Sequence, residues 1–154
     1  MMKRRSHLSF TINLLIFSVA SLPLLAQSIP TIQSLPNGDY FYGQAGEANK
    51  IGTEYIFLRK ASNTVTAFAY TRNTGNRSCF RGTVQSNTIT NGTYISFEEG
   101  EHEEPKFSQF ASLDLSSFQR LNGSDTQVNG RQRLTQCIEL FEEKNKLQNP
   151  TKPQ

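Results

Sequence analysis

The densest group of chemically reactive side chains in this sequence is an acidic run past its centre. Five glutamates and a histidine lie within seven consecutive positions, as Glu98, Glu99, Glu101, His102, Glu103 and Glu104. Carboxylate oxygens bind Ca²⁺, and the imidazole would add a ligand for a transition metal. The spacing is not that of an EF-hand, however, and a run of glutamates is typical of a solvated loop. We predict no metal or cofactor site, with weak cation binding by these six residues as the alternative.

Catalysis by a nucleophile needs a base beside it, and histidine is the usual one. After residue 28 the sequence holds a single histidine, His102, and no Gly-x-Ser-x-Gly pattern. Neither a Walker phosphate-binding loop nor a dinucleotide-binding glycine pattern occurs. These observations predict a protein that is not an enzyme.

The sequence has two cysteines, Cys79 and Cys137. An even number of cysteines in an exported chain favours a disulfide. Closing a loop of this length would stabilise the fold by about 4 kcal/mol on the chain-entropy model. The alternative is two buried thiols that pack as small apolar side chains.

Four tyrosines on the early strands are candidates for a ligand-facing surface. They are Tyr40, Tyr42, Tyr55 and Tyr70. The alternative is that they belong to the core and to the sheet surface. Several cations near them in sequence would suit an anionic or carbohydrate partner, namely Arg59, Lys60, Arg72, Arg77 and Arg81.

Residues 1–28 predict a secretory signal peptide. Lys3, Arg4 and Arg5 give it a positive start, an apolar stretch follows at 8–25, and cleavage is expected after Ser28 or, alternatively, Ala26. An uncleaved anchor is the alternative, because the apolar stretch is almost long enough to span a bilayer. We predict a secreted or periplasmic protein with no membrane anchor after cleavage.

The predicted leader also accounts for the basic character of the chain. It holds three of the 16 lysines and arginines and none of the 13 acidic residues, so the remainder carries 13 of each. The positive net charge is therefore no argument for a nucleic-acid partner. About 126 residues remain, which suits one domain with one core.

Short β-type runs separated by turn residues dominate the rest of the chain. We predict strands at 39–43, 54–60, 64–71, 78–85, 88–97 and 106–115, with 118–121 as a continuation of the last. Ser86-Asn87 is predicted to be a two-residue turn. Asn91-Gly92 interrupts the fifth run and is compatible with either a bulge or a second hairpin turn.

The period changes near the C-terminus. Leu134, Cys137, Ile138 and Phe141 form the apolar stripe of a helix, capped by Asn129 or Ser124 and stopped by Asn149-Pro150. The predicted fold is mainly β: an antiparallel meander or small barrel of about six strands with the C-terminal helix packed on it. Residues 29–148 form the single domain and 149–154 a disordered tail.

Four segments together resemble a family of small exported cyanobacterial proteins of unknown function. They are 35–43 (LPNGDYFYG), 52–60 (GTEYIFLRK), 78–83 (SCFRGT) and 129–137 (NGRQRLTQC). The resemblance implies a cysteine pair in matching places and an address outside the cytoplasm. It implies no activity, cofactor or partner, and the segment 86–104 departs from the pattern.

The sequence therefore predicts a function class and no more. We expect a non-enzymatic binding or envelope-associated module with an envelope or extracellular partner that the sequence does not identify. The alternative is a small β-barrel that carries a hydrophobic ligand, which the many aromatic residues would suit.

Overall fold

The computed structural model describes residues 30–97, 105–122 and 127–148. The predicted signal peptide, the acidic run and the predicted tail lie outside these residues. The described part contains seven strands and one helix: β1 (Gly38–Gly43), β2 (Glu54–Ala61), β3 (Thr64–Thr71), β4 (Arg77–Gln85), β5 (Thr88–Phe97), β6 (Ser108–Asp114), β7 (Gln119–Arg120) and α1 (Gln127–Gln148).

All the strands belong to one antiparallel sheet in the order β6-β5-β4-β3-β2-β1-β7. The predicted meander with one C-terminal helix is confirmed, and the sheet is not closed into a barrel. Residues 118–121 were predicted to continue the sixth strand, and this was wrong: β7 is a separate strand that pairs with β1, because the chain turns away from β6 at 115–118. No helix in the described ranges is long and apolar enough to cross a membrane.

Although the sheet is open, its two edges lie close together. β6 pairs with β5 at one edge, and after residues 115–118 the chain pairs as β7 with β1 at the other. A flat sheet of seven strands would be about 29 Å wide. Five Cα steps from Asp114 to Gln119 span about 18 Å at most, so the sheet must curl. Asp114 fixes the connecting turn, because its Oδ1 accepts hydrogen bonds from the Ser116 amide (2.9 Å) and hydroxyl (2.6 Å).

The concave side of the curled sheet is filled by side chains that alternate along the strands. Buried members of this inner cluster include Ile56, Leu58, Val65, Ala67, Ala69, Phe80, Val84 and Ile89. Ile32 and Leu35, which precede β1, and Leu115 complete it. The segment before β1 is held to the β4–β5 turn, since the Ile32 amide donates to Asn87 Oδ1 (2.9 Å) and the Gln33 amide to the Ser86 carbonyl (3.0 Å).

α1 covers the opposite, convex side. Leu134, Cys137 and Phe141, which the sequence predicted to face the sheet, are buried there against Phe57 and Phe68. Further aromatic rings extend this outer cluster across the strands, with ring centroids 4.3 Å apart for Phe41 and Phe57. The helix rests on the sheet at Gly130, where an added Cβ would overlap the ring of Phe57.

The fifth strand contains a β-bulge. Arg81 pairs with Thr93 and Thr83 with Thr90, so Asn91 and Gly92 together oppose Gly82 alone. Asn91 has a positive φ of 49°, which asparagine tolerates better than most residues. The structure thus decides for the bulge over the hairpin turn at Asn91-Gly92. The predicted two-residue turn at Ser86-Asn87 is confirmed, and its first residue has φ 58°.

The described part of the helix spans Gln127–Gln148, so the helix begins before one of its two predicted caps, Asn129. Its last residue is Gln148, directly before Asn149-Pro150. Asn129 lies inside the helix and so is not its N-cap, and Ser124 lies outside the described residues. The first turn contacts the sheet through Gly130, which has no side chain. The apolar stripe in the sequence therefore starts only at Leu134, and it does not mark the beginning of the helix.

Candidate functional site

Cys79 on β4 and Cys137 on α1 form the predicted disulfide, with Cα atoms 5.5 Å apart. Both side chains are buried, at 2% and 1% exposure, within the outer cluster. A shielded disulfide is a structural link and not a reactive one. It joins the helix to the sheet and is compatible with an oxidising compartment, while secretion itself stays a prediction.

The four tyrosines predicted to face a ligand lie on opposite sides of the sheet. Tyr40 and Tyr42 belong to the inner side, and Tyr55 and Tyr70 to the outer side. The structure therefore brings them together in two pairs and not around one cavity. Their ligand-facing role stays a prediction.

The outer pair is held by packing and hydrogen bonds. Tyr55 is fully buried; its hydroxyl donates to the Glu47 carbonyl (2.8 Å) and accepts from the Lys50 amide (2.7 Å), which fixes the loop between β1 and β2. Tyr70 stacks on Tyr55 with ring centroids 5.5 Å apart. Burial raises the pKa of Tyr70 above its ordinary value, so its phenol is neutral at neutral pH.

The inner pair lies near the start of the fold. Tyr42 is buried, and desolvation raises its pKa. Tyr40 is half-buried; its hydroxyl donates to the Pro36 carbonyl (2.7 Å), and the Arg120 guanidinium lies 4.9 Å from its ring centroid. Tyr40 is thus engaged on its edge and on one face by the protein itself.

Asp39 and Arg59 form an ion pair on neighbouring strands β1 and β2. Arg59 donates two hydrogen bonds to the carboxylate, from Nε to Oδ1 (2.6 Å) and from Nη2 to Oδ2 (2.8 Å). These bonds lower the pKa of Asp39 below 3.8 and raise that of Arg59. Arg59, one of the cations considered for an anionic partner, is therefore already paired.

We expect this pair to make stability pH-dependent in one direction. A carboxyl group whose pKa is lower in the folded state stabilises the fold above its unfolded pKa, and this contribution is lost as the pH falls through the folded pKa. Asp39→Asn should lower the free energy of unfolding by less than about 1 kcal/mol at neutral pH, since both side chains are partly exposed. Urea unfolding at a series of pH values measures the difference between variant and parent. A difference that persists unchanged well below pH 3.8 would contradict the assignment.

The acidic run and His102 lie outside the described residues. Within the described ranges, no group of three or more His, Cys, Asp or Glu side chains is placed to hold a metal ion. Cation binding by the run stays a prediction.

A cleft of about 380 Å³ opens between one flank of α1 and the strands β3, β4 and β5. We call it the helix–sheet cleft. Its innermost lining is the disulfide and the buried ring of Phe68, and the partly buried Phe97 and Leu140 form its walls. Exposed polar side chains surround the opening: Arg77, Arg133, Gln136, Glu139 and Glu143.

The rim of the cleft carries both signs of charge. Arg133 donates from Nη1 to Gln136 Oε1 (3.1 Å), one turn along the helix. Arg77, which pairs with Phe97 across β4 and β5, stands at the sheet side of the opening. An apolar interior with a mixed polar rim can bind an apolar group and orient whatever carries it.

The sequence indicated three of the residues that line the cleft, Arg77 as a cation for an anionic partner and Cys79 and Cys137 as a disulfide, but not the others. The helix flank was readable in part, because Arg133, Gln136, Leu140 and Glu143 recur at the spacing of one helix face. Nothing in the sequence indicates that Phe97, at the end of β5, lies opposite this flank.

Comparison of this chain with protein-family models, with curated proteins and with solved structures gave no match. The resemblance to small exported cyanobacterial proteins therefore stays a prediction.

Proposed function

We propose that this chain is an exported, non-enzymatic binding module that holds an apolar group of an envelope or extracellular partner in the helix–sheet cleft. The observation that carries the proposal is the cleft itself. Its volume of about 380 Å³ falls in the range of ligand pockets in proteins, roughly 300–1,000 Å³.

The burial gradient within the cleft supports a protein or peptide partner. Tight interfaces bury an aromatic or aliphatic anchor in a pocket and surround it with polar contacts that exclude water. Here the buried Phe68 would contact the anchor, and Phe97 and Leu140 would flank it. Because the rim has both arginines and glutamates, local charge pairing would set the orientation of the partner.

Site-specific photo-crosslinking in cells that export the chain tests this proposal. We expect p-benzoylphenylalanine at Gln136, on the rim, to form a covalent adduct with a defined partner. The same photoreactive residue at Gln132, which is exposed on the same helix and does not line the cleft, is the matched control and should give none.

A second pair of variants shows whether the cleft interior does the binding. Leu140→Glu, which places a charge against the wall of the cleft, should abolish the adduct at position 136. Leu147→Glu changes a side chain on the same helix that is 83% exposed and should leave the adduct intact. No adduct at position 136, or equal adducts at 136 and 132, would contradict the proposal.

Carriage of a hydrophobic ligand inside the curled sheet is the alternative proposal. The inner cluster argues against it, since buried side chains of this chain occupy that side of the sheet. A ligand there would have to displace Ile32 and Leu35 together with the hydrogen bonds that hold their segment.

A further inference from the structure

A second groove, independent of the helix–sheet cleft, lies beneath the last turns of α1. It measures about 370 Å³ and is bounded by Phe141, Lys144, Asn145 and Gln148 of the helix and by residues of β3 to β6. We call it the polar groove. The two sites have no lining residue in common, so variants can separate them.

The charges that line the polar groove are of one sign. Arg81 projects from β4 and Lys144 from the helix, and among the described residues that line the groove there is no carboxylate. Arg81 is half-buried, and no described residue offers it an ion pair or a hydrogen bond. The Lys144 ammonium lies 4.5 Å from the Phe107 ring centroid, a contact that leaves its hydrogen-bond donors available. The groove is therefore suited to a negative ligand.

The uncharged lining is almost entirely hydroxyl and amide groups. Three threonines on adjacent strands, Thr64, Thr83 and Thr93, stand on the face that α1 covers elsewhere. Asn91, Gln109 and Asn145 add amides. Each hydroxyl or amide group can both donate and accept, which matches the hydroxyl groups of a sugar better than it matches a simple anion.

The β-bulge gives the groove its shape. Asn91 opposes Gly82 at the bulge, and both residues line the groove. A Cβ at Gly82 would lie 2.7 Å from Ile89 Cγ2 and 2.9 Å from the Thr90 carbonyl oxygen, so this close strand approach requires glycine. Bulges occur preferentially where a sheet must bend beside a site.

We propose that the polar groove binds an acidic saccharide, a carbohydrate chain that carries carboxylate groups. One carboxylate pairs with Arg81 and Lys144, and the sugar hydroxyls bond to the threonine and amide groups around them.

Titration of the purified protein with tetragalacturonate, followed by NMR shifts of backbone amides, tests the proposal. We expect saturable shifts at residues of the polar groove and none at the helix–sheet cleft. Arg81→Gln and Lys144→Gln should each weaken the affinity about tenfold, as expected for loss of one charge-assisted hydrogen bond. Lys144→Arg should retain most of it.

Matched controls define what would overturn the proposal. Arg72→Gln removes an exposed cation outside the groove and should leave the affinity unchanged. Equal affinity for the neutral maltotetraose would show that the groove does not recognise the carboxylates. Equal affinity for inorganic phosphate would show that it does not recognise the sugar. Either result overturns the proposal. The proposal is also overturned if tetragalacturonate shows no saturable binding, or if the Lys144→Gln variant folds and binds it with unchanged affinity. Failure here leaves the photo-crosslinking result at Gln136 unaffected.

Discussion

Replacement of Cys79 and Cys137 together by alanine is expected to lower the free energy of unfolding by about 4 kcal/mol. The disulfide joins residues 58 positions apart in sequence, so its loss gives the unfolded chain a large gain in entropy. The substitution also removes the covalent link between the helix and the sheet, where both cysteines are buried. Alanine is the suitable replacement, because a serine hydroxyl would be buried in an apolar cluster without an assured partner.

Urea unfolding of the parent and the double variant measures this difference. Reduction of the parent protein should produce the same shift in the unfolding midpoint, and reduction of the double variant should produce none. Labelling of the unreduced, unfolded parent with an alkylating reagent should find no free thiol. A loss smaller than about 1 kcal/mol would show that the helix is held mainly by its other contacts.

Gly130→Leu is expected to lower the free energy of unfolding by a net of about 2 kcal/mol. Leucine is a better helix former than glycine by about 1 kcal/mol, which alone would stabilise α1. Overlap with the buried ring of Phe57 opposes this, and overpacking of a filled core costs up to about 3 kcal/mol. We expect the steric cost to be the larger effect, because the Phe57 ring is buried and stacked on Phe41.

Asn129→Leu is the matched control for this prediction. Asn129 is the neighbouring position on the same helix and is exposed, so leucine there should change stability by no more than about 0.5 kcal/mol. A double-mutant cycle with the smaller substitutions Gly130→Ala and Phe57→Leu tests the contact directly. The double variant should lose less free energy of unfolding than the sum of the losses in the two single variants. Additive effects in that cycle, or a stabilising Gly130→Leu, would contradict the proposed contact.

The strands were predictable because each carries its own local signal. Alternation of side chains and turn residues such as Ser86-Asn87 indicated the strands, and the order of β1 to β6 follows from consecutive pairing. The pairing of β7 with β1 was not predicted, because no local signal shows that the chain crosses to the other sheet edge. Asn91-Gly92 was not decidable, because positive φ serves a hairpin turn and a bulge equally. The predicted cap at Asn129 was wrong because Gly130, a residue that usually disfavours helix, lies within the helix as its contact with the sheet.

The sites were less predictable than the fold because they are made by residues distant in sequence. Arg77, Phe97 and Leu140 come from three elements, and only the crossing of α1 over the sheet makes them neighbours. Arg81 was identified from sequence as a cation near tyrosines, yet its relevant neighbours in the polar groove are threonines and amides. Spacing along the chain does not indicate such groupings.

The connection at 115–118, which carries the chain from one sheet edge to the other, has a consequence for the order of assembly. β1 to β5 can form as successive hairpins while the chain is still emerging, but β6, β7, α1 and Cys137 all come from its last third. Along the proposed export route, Cys79 would therefore stay reduced until translocation was almost finished. The backbone edges of β1 and β5, which β7 and β6 later cover, would stay unpaired for the same time. A nascent chain arrested before residue 137 would expose the unpaired strand edges that promote aggregation. Closure of the disulfide and completion of the sheet would therefore coincide with the end of transport.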